Sequence, residues 1–232
     1  MSSFNFDNGQ NTKNNDVIPK FKKESVAASI ASYLRNAMIN GLYNPGDKLR
    51  EKDICEELNV SRTPLREAFR ILQSEGLLTY SSHQGVMVTP VSLEDIENLW
   101  EVRFALEVMA TEKAVDNMTE QDIIKLSDIQ SQFEDLDPKD KIGIIHTNSN
   151  LHMHILKAAN NDRLEKIIRD IWTQIQVFQS ISFVKEGRFE KACIEHRELI
   201  SAIKKRDKRL VGSHMQYHLM RGKEAMLAGL EL

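Results

Sequence analysis

Apolar residues recur every three or four positions along most of the chain, which is the spacing of helices that bury one face. In the first third of the chain this spacing predicts helices at about 24–40 and 51–58, and a third helix that begins after Ser61 and stops at Gly76. From Ser92 onward it predicts a long helix and then further helices at about 119–136, 139–159, 162–184, 188–206 and 208–228. The pattern is typical of a mainly α-helical protein.

Residues 76–90 are the exception to helical spacing. Leu78 and Tyr80 alternate with polar residues, a polar loop follows, and Val86 and Val88 alternate again, which predicts a β-hairpin. A hairpin that directly follows two helices joined by a short turn predicts a winged helix-turn-helix. In that fold the second helix of the pair enters the major groove of DNA.

The chain divides into three predicted segments. Residues 1–19 are rich in Asn, Ser and Asp and predict a disordered lead-in. Residues 20–90 form the predicted winged helix-turn-helix DNA-binding domain. Residues 91–232 form a predicted all-α bundle, in which short connections place neighbouring helices antiparallel.

Three arginines lie four residues apart on the third predicted helix: Arg62, Arg66 and Arg70. This spacing places them on one face of the helix, and the opposite face carries Leu65, Ala68, Phe69 and Leu72. Because three neighbouring cations repel one another, the arrangement makes physical sense when a polyanion lies along that face. The alternative is a solvated face whose arginines pair with Glu67 or Glu56.

The start of this helix carries the predicted readers of double-stranded DNA. We expect Arg62 and Arg66 to reach base edges, because Arg is the commonest reader of the O6 and N7 atoms of guanine. Thr63 is expected to bind phosphate. The full predicted set of DNA contacts consists of Arg50, Lys52, Ser61, Arg62, Thr63 and Arg66, with Ser82, His83 and Gly85 near the tip of the hairpin.

Charge and composition narrow the class of protein. The net charge of −3 by itself argues against nucleic acid, but residues 20–90 carry +2 and residues 91–232 carry −4. Cys55 and Cys193 form neither a CxxC unit nor a disulfide framework, which indicates a reducing compartment. No apolar run approaches the about 18 residues of a membrane span, and nothing resembles a signal peptide. We therefore expect a cytoplasmic protein with no membrane partner.

Several stretches resemble one family of bacterial regulators. The segment LREKDICEELNVSRTPLREAFRILQSEGLL (49–78), and within it VSRTPLREA followed by EGLL, resembles the winged helix of GntR-type transcription regulators. In the bundle, LWEVRFALE (99–107), NSNLHMHILKAANN (148–161) and EHRELISAIKKRD (195–207) resemble the FadR subfamily, whose C-terminal domain is named FCD. The resemblance covers about residues 20–228.

The resemblance implies a divalent metal ion, zinc or nickel, held by His152, His196 and His218. Asn148 is the fourth candidate ligand, and it stands where the family pattern usually has Asp. Asn148 and His152 lie four residues apart, so both can face the same ion from one helix. An amide oxygen can ligate but brings no charge. We therefore expect weaker metal affinity than with Asp, and a preference for an anionic exogenous ligand such as a carboxylate.

The histidines also allow other groupings. His214 and His218 are separated by one helical turn, which is itself a chelating spacing, and His146 and His154 flank His152. His154 should point away from His152, because it is only two residues further along the helix.

The resemblance implies a second role for the first helix of the bundle, where Arg103 would capture the carboxylate of a small organic acid effector. The alternative is an ion pair between Arg103 and Glu107, one turn along the same helix. Both can hold, with Glu107 orienting the guanidinium. Trp100 and Trp172 are expected to be core residues.

These observations predict a homodimeric transcription regulator, a repressor, that reads a palindromic operator and responds to the effector. The second domain would then serve effector binding and dimerisation, and the protein would not be an enzyme. Two alternatives remain open. One is an architectural DNA binder with no effector, and the other is a metal-dependent hydrolase, since three histidines with an open position resemble a catalytic zinc site.

Overall fold

The computed structural model describes residues 25–81, 85–182 and 187–230. The predicted disordered segment 1–19 and the predicted DNA contacts Ser82 and His83 lie outside the described residues. The elements occur in the predicted order, and the fold is mainly α.

The N-terminal part consists of three helices and a hairpin. Helices α1 (Val26–Ile39), α2 (Glu51–Leu58) and α3 (Arg62–Ser74) are followed by strands β1 (Leu78–Ser81) and β2 (Gly85–Val88). The strands pair antiparallel, with Leu78 opposite Val88. Helix α3 buries the predicted apolar stripe, Leu65, Ala68, Phe69 and Leu72. The winged helix-turn-helix is therefore confirmed.

The turn between α2 and α3 depends on one left-handed residue. Asn59 has φ +50°, a conformation that Asn adopts more readily than most residues. It ends α2 and lets the N–H of Val60 bond to the carbonyl oxygen of Cys55 at 3.1 Å. Ser61 occupies the N-cap position of α3, but its side chain makes no capping hydrogen bond.

The C-terminal part consists of helices α4 (Leu93–Asn117), α5 (Glu120–Glu134), α6 (Lys141–Ala158), α7 (Asp162–Ser182), α8 (Arg188–Lys204) and α9 (Lys208–Leu230). Helix α9 packs against α4, α7 and α8, and α4 also contacts α6 and α7. The start of α4 is fixed by a capping box, in which Ser92 accepts from the backbone of Asp95 and the Asp95 carboxylate accepts from that of Ser92. Helix α6 is capped by Asp140 and begins at Lys141, slightly later than the predicted start at about 139.

One of the buried apolar clusters contains residues of both parts. Leu72 and Leu77 of the winged helix belong to the same buried cluster as Trp100 of α4 and Met226 of α9. The side-chain amide of Gln174 on α7 also donates a 2.8 Å hydrogen bond to the carbonyl oxygen at the end of α3, on Glu75. The bundle helices and the DNA-binding half are therefore in direct contact.

None of the described helices is apolar over a stretch long enough to cross a membrane.

Candidate metal centre and DNA-binding face

Three imidazoles from three helices meet inside the bundle. His152 lies on α6, His196 on α8 and His218 on α9, and all three are buried. One nitrogen from each ring lies within 4.8 Å of the other two, and the Nε2 atoms of His152 and His218 are 3.1 Å apart. Within the described part of the chain, this is the one group of three or more potential ligands close enough to share a metal ion.

The other nitrogen of each ring faces an oxygen acceptor. Nδ1 of His152 lies 2.8 Å from Glu107, and Nδ1 of His218 lies 2.7 Å from Glu195. Nδ1 of His196 lies 3.1 Å from the side-chain oxygen of Gln130. An Nδ1–H group that donates to such an acceptor leaves the lone pair on Nε2, which is the usual arrangement of a metal-binding histidine.

Each of the two carboxylates is paired with a buried arginine. Arg103 donates through Nε to Glu107 at 2.6 Å, which confirms the predicted ion pair. Arg188 donates to both oxygens of Glu195, at 3.1 and 3.0 Å. Together these residues form two similar arrangements, Arg103–Glu107–His152 and Arg188–Glu195–His218, which we call the two Arg–Glu–His triads.

The buried charges shift the pKa values of these groups. Burial raises the pKa of the Glu107 carboxyl, but Arg103 and His152 together outweigh it and lower that pKa to about 2. Burial raises the pKa of Glu195, although Arg188 acts against it. Burial, and then the neighbouring His and Arg side chains, lower the pKa values of His196 and His218 well below the usual range. Neutral imidazole is the form that binds a metal ion.

Buried polar atoms without partners indicate that a ligand fits this site. Nε2 of His196 and both amide atoms of Asn148 are buried and find no hydrogen-bond partner among the described residues. Asn148 lies one helical turn before His152 and is turned into the protein in the same way. The Nε2 atoms of His152 and His218 lie 3.1 Å apart. When both carry a lone pair, they need a cation or a proton between them. For comparison, two zinc–nitrogen bonds of about 2.0–2.1 Å at the tetrahedral angle would separate their nitrogens by about 3.3 Å. The residues present therefore fit a divalent ion.

The structure does not bring His146, His154 or His214 into the histidine cluster. His154 points away from the cluster, and its Nε2 lies 2.9 Å from the backbone oxygen of Asp122. His214 faces Glu198 at 3.7 Å, and His146 is exposed.

Aromatic rings enclose the Arg103 side of the site. The guanidinium carbon of Arg103 lies 4.8 Å from the ring centroid of Trp100 and 5.5 Å from that of Trp172. Both tryptophans are buried, as predicted for core residues, and the Trp172 ring also lies 5.6 Å from that of His152. These rings keep the guanidinium in place, because cations are attracted to aromatic faces.

Sequence reasoning missed the acceptors that face the three histidines, which are Glu107, Gln130 and Glu195, and it missed Arg188, which pairs with Glu195. Each acceptor lies on a different helix from its histidine. Glu195 directly precedes His196 in sequence but pairs with His218 on another helix. The pattern in the sequence offers no signal for such a contact.

The predicted DNA-contacting residues of the helix-turn-helix lie on its surface. Arg62, Thr63, Arg50 and Ser61 are exposed, and no ion pair of Arg62 or Arg50 occurs with any described residue. Gly85 begins β2 with φ +79°. Nζ of Lys52 lies 3.9 Å from Oε1 of Glu56, and both side chains are mostly exposed.

Arg66 has an acidic partner that the spacing does not reveal. Its side chain is 60% exposed and donates to Glu51 on α2, with Nε at 2.9 Å and Nη2 at 3.0 Å from the carboxylate oxygens. The partner is therefore Glu51, and not Glu67 or Glu56 as the alternative interpretation supposed. An exposed pair of this kind exchanges partners readily.

Comparisons with known proteins agree with this organisation. Residues 26–88 match the family described as bacterial regulatory proteins, gntR family, and residues 98–221 match the FCD domain. The chain is 28% identical to the HTH-type transcriptional regulator McbR of Escherichia coli, over 82% of this chain and 87% of McbR. It is 26% identical to the HTH-type transcriptional repressor RspR of Escherichia coli, over 88% of this chain and 90% of RspR.

Solved structures show the same fold. The structure of E. coli McbR/YncC superposes with a TM-score of 0.77 at 23% identity, over 88% of this chain and 98% of that one. The metal-free FCD domain of TM0439 gives a TM-score of 0.51 at 22% identity, over 59% of this chain and 94% of that domain. Because the FCD match alone spans more than half of the chain, the protein belongs to the GntR family of transcription regulators and carries an FCD effector-binding domain.

Proposed function

We propose that this regulator binds a palindromic operator as a homodimer and represses transcription there. Its operator affinity is controlled by a small carboxylate effector at a divalent metal ion in the FCD domain. The observation that carries the proposal is the convergence of three buried imidazoles beside the buried cation of Arg103. A reader of duplex DNA acts where bacterial DNA is, in the cytoplasm.

The metal ligands in this proposal are His152, His196 and His218, with Asn148 as the fourth. Imidazole donors suit zinc and nickel. When bound, the ion would supply a positive centre that coordinates an anionic ligand. The ligand set carries no negative charge, and Glu107 and Glu195 are each already matched by an arginine. The double charge of the ion would therefore remain uncompensated, which favours an anionic effector.

Arg103 is the proposed effector-binding cation. It lies on the same side of the site as His152, because both contact the carboxylate of Glu107. A carboxylate held between the metal and the guanidinium would be recognised from two sides. This arrangement supports a small organic acid as the ligand class.

At the other end of the molecule, Arg62 and Arg66 would read base edges, and Thr63, Lys52, Arg50 and Ser61 would position the helix on the phosphates. Gly85, which begins β2, would contact the backbone beside the groove, and Ser82 and His83, outside the described residues, stay predicted DNA contacts. Two copies related by a twofold axis would place two recognition helices on two half-sites. The exposed Val102 and Met109, two turns apart on α4, offer apolar surface to a second copy.

The response to effector would be a population shift between dimer geometries. The effector favours the geometry whose recognition-helix spacing mismatches the half-sites. The shared core and the Gln174–Glu75 hydrogen bond would carry the movement from the bundle to α3.

The two alternative functions are less well supported. A metal-dependent hydrolase needs a carboxylate free to act as general base, but Glu107 and Glu195 are each occupied by an arginine and a histidine. An architectural DNA binder would have an inert bundle, whereas this bundle encloses unpartnered polar atoms.

Metal analysis of purified protein tests the proposal, followed by thermal shift with zinc, nickel and a panel of hydroxy- and dicarboxylic acids. We expect stoichiometric metal, and stabilisation by a carboxylate that requires the metal. The absence of bound metal, together with no uptake of added zinc or nickel, would contradict the metal centre.

A further inference from the structure

The structure contains two Arg–Glu–His triads, and the repetition of this arrangement indicates a shared function. The triads come from different parts of the fold: Arg103 and Glu107 lie on α4, whereas Arg188 and Glu195 lie on α8. Yet each places a carboxylate within 2.8 Å of an Nδ1 atom and an arginine within 3.1 Å of the same carboxylate. Burying two carboxylates and two guanidinium groups has a large desolvation cost, so the arrangement calls for a reason beyond packing.

We propose that Glu107 and Glu195 are positioning residues for the metal centre, and that Arg103 and Arg188 balance their charge. Each carboxylate accepts the Nδ1–H of its histidine, which fixes the ring orientation and leaves Nε2 to the metal. A carboxylate acceptor also makes the imidazole a stronger donor to the ion. This inference rests on the proposed metal centre and assigns roles to residues outside its ligand set.

Gln130 performs the same task for His196 without a charge. Its side-chain oxygen faces Nδ1 of His196, while its amide nitrogen donates to Glu134 at 2.6 Å and to the backbone oxygen of Cys193 at 3.2 Å. Those two bonds fix which end of the amide faces the ring. The three histidines are thus supported unequally, two by carboxylates and one by an amide.

The ion pair with Glu107 gives Arg103 a second role, which does not depend on an effector. Its guanidinium is bonded to Glu107 and enclosed by two indole rings, so it helps to hold His152 whether or not an effector is present. Arg188 occupies the equivalent place in the other triad. Loss of function after substituting Arg103 would therefore not by itself identify an effector contact, whereas the same loss at Arg188 would reveal the positioning role.

The test uses Glu107→Gln and Glu195→Gln in the full-length chain. Glutamine keeps an oxygen that can accept Nδ1–H but removes the charge. The matched controls are Glu101→Gln on α4 and Glu190→Gln on α8, which remove the same charge from exposed positions. The first readout is the affinity for Zn²⁺ in competition with a chromophoric chelator. The second is the visible absorption spectrum of bound Co²⁺, which reports the ligand field directly.

We expect each triad variant to lose about 10- to 100-fold in metal affinity and to change the Co²⁺ spectrum. The two controls should bind Zn²⁺ with the wild-type affinity and give the wild-type Co²⁺ spectrum, because neither residue contacts a histidine of the site. Wild-type affinity and spectrum in both triad variants would overturn the inference while leaving the metal centre in place. A wild-type protein that binds neither ion would overturn both.

A further variant covers the case in which a triad substitution prevents folding. Gln130→Met removes the acceptor of His196 without leaving a buried charge unpaired. It should fold, weaken Zn²⁺ binding and alter the Co²⁺ spectrum. A folded Gln130→Met protein with an unchanged spectrum would show that these acceptors are structural only, and would overturn the positioning role.

Discussion

The indole Nε1–H of Trp100 donates a 3.0 Å hydrogen bond to the carbonyl oxygen of Leu219. Leu219 directly follows His218, and Trp100 lies in the apolar core that contains the winged helix. The same indole ring lies against the guanidinium of Arg103. Trp100 therefore contacts the candidate metal centre on one side and the DNA-binding half on the other.

Replacing Trp100 by Phe should lower the free energy of unfolding. The substitution removes the indole donor to the carbonyl oxygen of Leu219, which lies inside α9, and the loss of one such hydrogen bond costs about 0.5–1.5 kcal/mol. Trp172→Phe is the matched control, because the indole nitrogen of Trp172 has no partner among the described residues. Urea unfolding of both variants measures the difference. Equal losses would show that the Trp100 hydrogen bond contributes nothing.

Arg66→Ala should weaken operator binding and relax base preference. Loss of a base-reading arginine costs about 1–3 kcal/mol, whereas loss of a phosphate contact weakens all sequences alike and lowers the salt slope by about 1. Lys52→Ala is the comparison, since its single charge suits phosphate. Mobility-shift titrations at several salt concentrations, on DNA selected by the protein from a random pool, separate the two effects. Unchanged affinity in Arg66→Ala would remove Arg66 from the set of base readers.

Glu51→Gln should increase binding to unrelated DNA more than binding to the selected sequence. In the free protein Glu51 holds Arg66, so the arginine must exchange that carboxylate for a base. Removing the carboxylate frees the cation for phosphates and reduces discrimination. Glu67→Gln removes the same charge from the exposed face of α3 and is the control. If both variants gain affinity for unrelated DNA equally, the effect is net charge alone.

The metal-free protein should lose stability as the pH falls. The pKa values of His196 and His218 are lowered in the folded state. Below about pH 6.5 these two imidazoles therefore become protonated in the unfolded chain while they stay neutral in the folded protein. Lowering the pH from 7.5 to 5.5 should therefore reduce the free energy of unfolding by on the order of 2–3 kcal/mol for the two histidines together. Glu195, whose pKa is raised, acts in the opposite direction. Urea unfolding of wild-type protein and of His196→Gln isolates the contribution of one ring.

The pH slope of that variant should be shallower by the contribution of one histidine. His146→Gln, which removes a histidine from an exposed position, is the matched control. Parallel slopes for wild-type protein and His196→Gln would show that His196 is free to become protonated in the folded state.

The sequence predicts those parts of the molecule that depend on neighbours along one helix. The buried stripe of α3 and the Arg103–Glu107 pair follow from spacings of three and four residues, and the Ser92–Asp95 capping box is equally local. Resemblance to a family was needed to connect His152, His196 and His218, because their helices meet only after folding.

The partners that sequence reasoning missed share one property. Glu51 reaches Arg66 from the preceding helix, and Glu195 reaches His218 across the α8–α9 contact. Periodicity records which face of a helix is buried, but it does not record which residue of another helix lies opposite. Buried polar contacts between helices can therefore be identified only in the folded structure.

The proposed regulation requires communication between the histidine site and the DNA-binding face. The most direct measurement is the binding isotherm of selected operator DNA, by fluorescence anisotropy, with and without a carboxylate that stabilises the metal-loaded protein. We predict at least a tenfold loss of operator affinity for wild-type protein, equivalent to about 1.4 kcal/mol, and no response in His196→Ala. Superimposable isotherms for wild-type protein saturated with that carboxylate, or a full response in His196→Ala, would contradict the account.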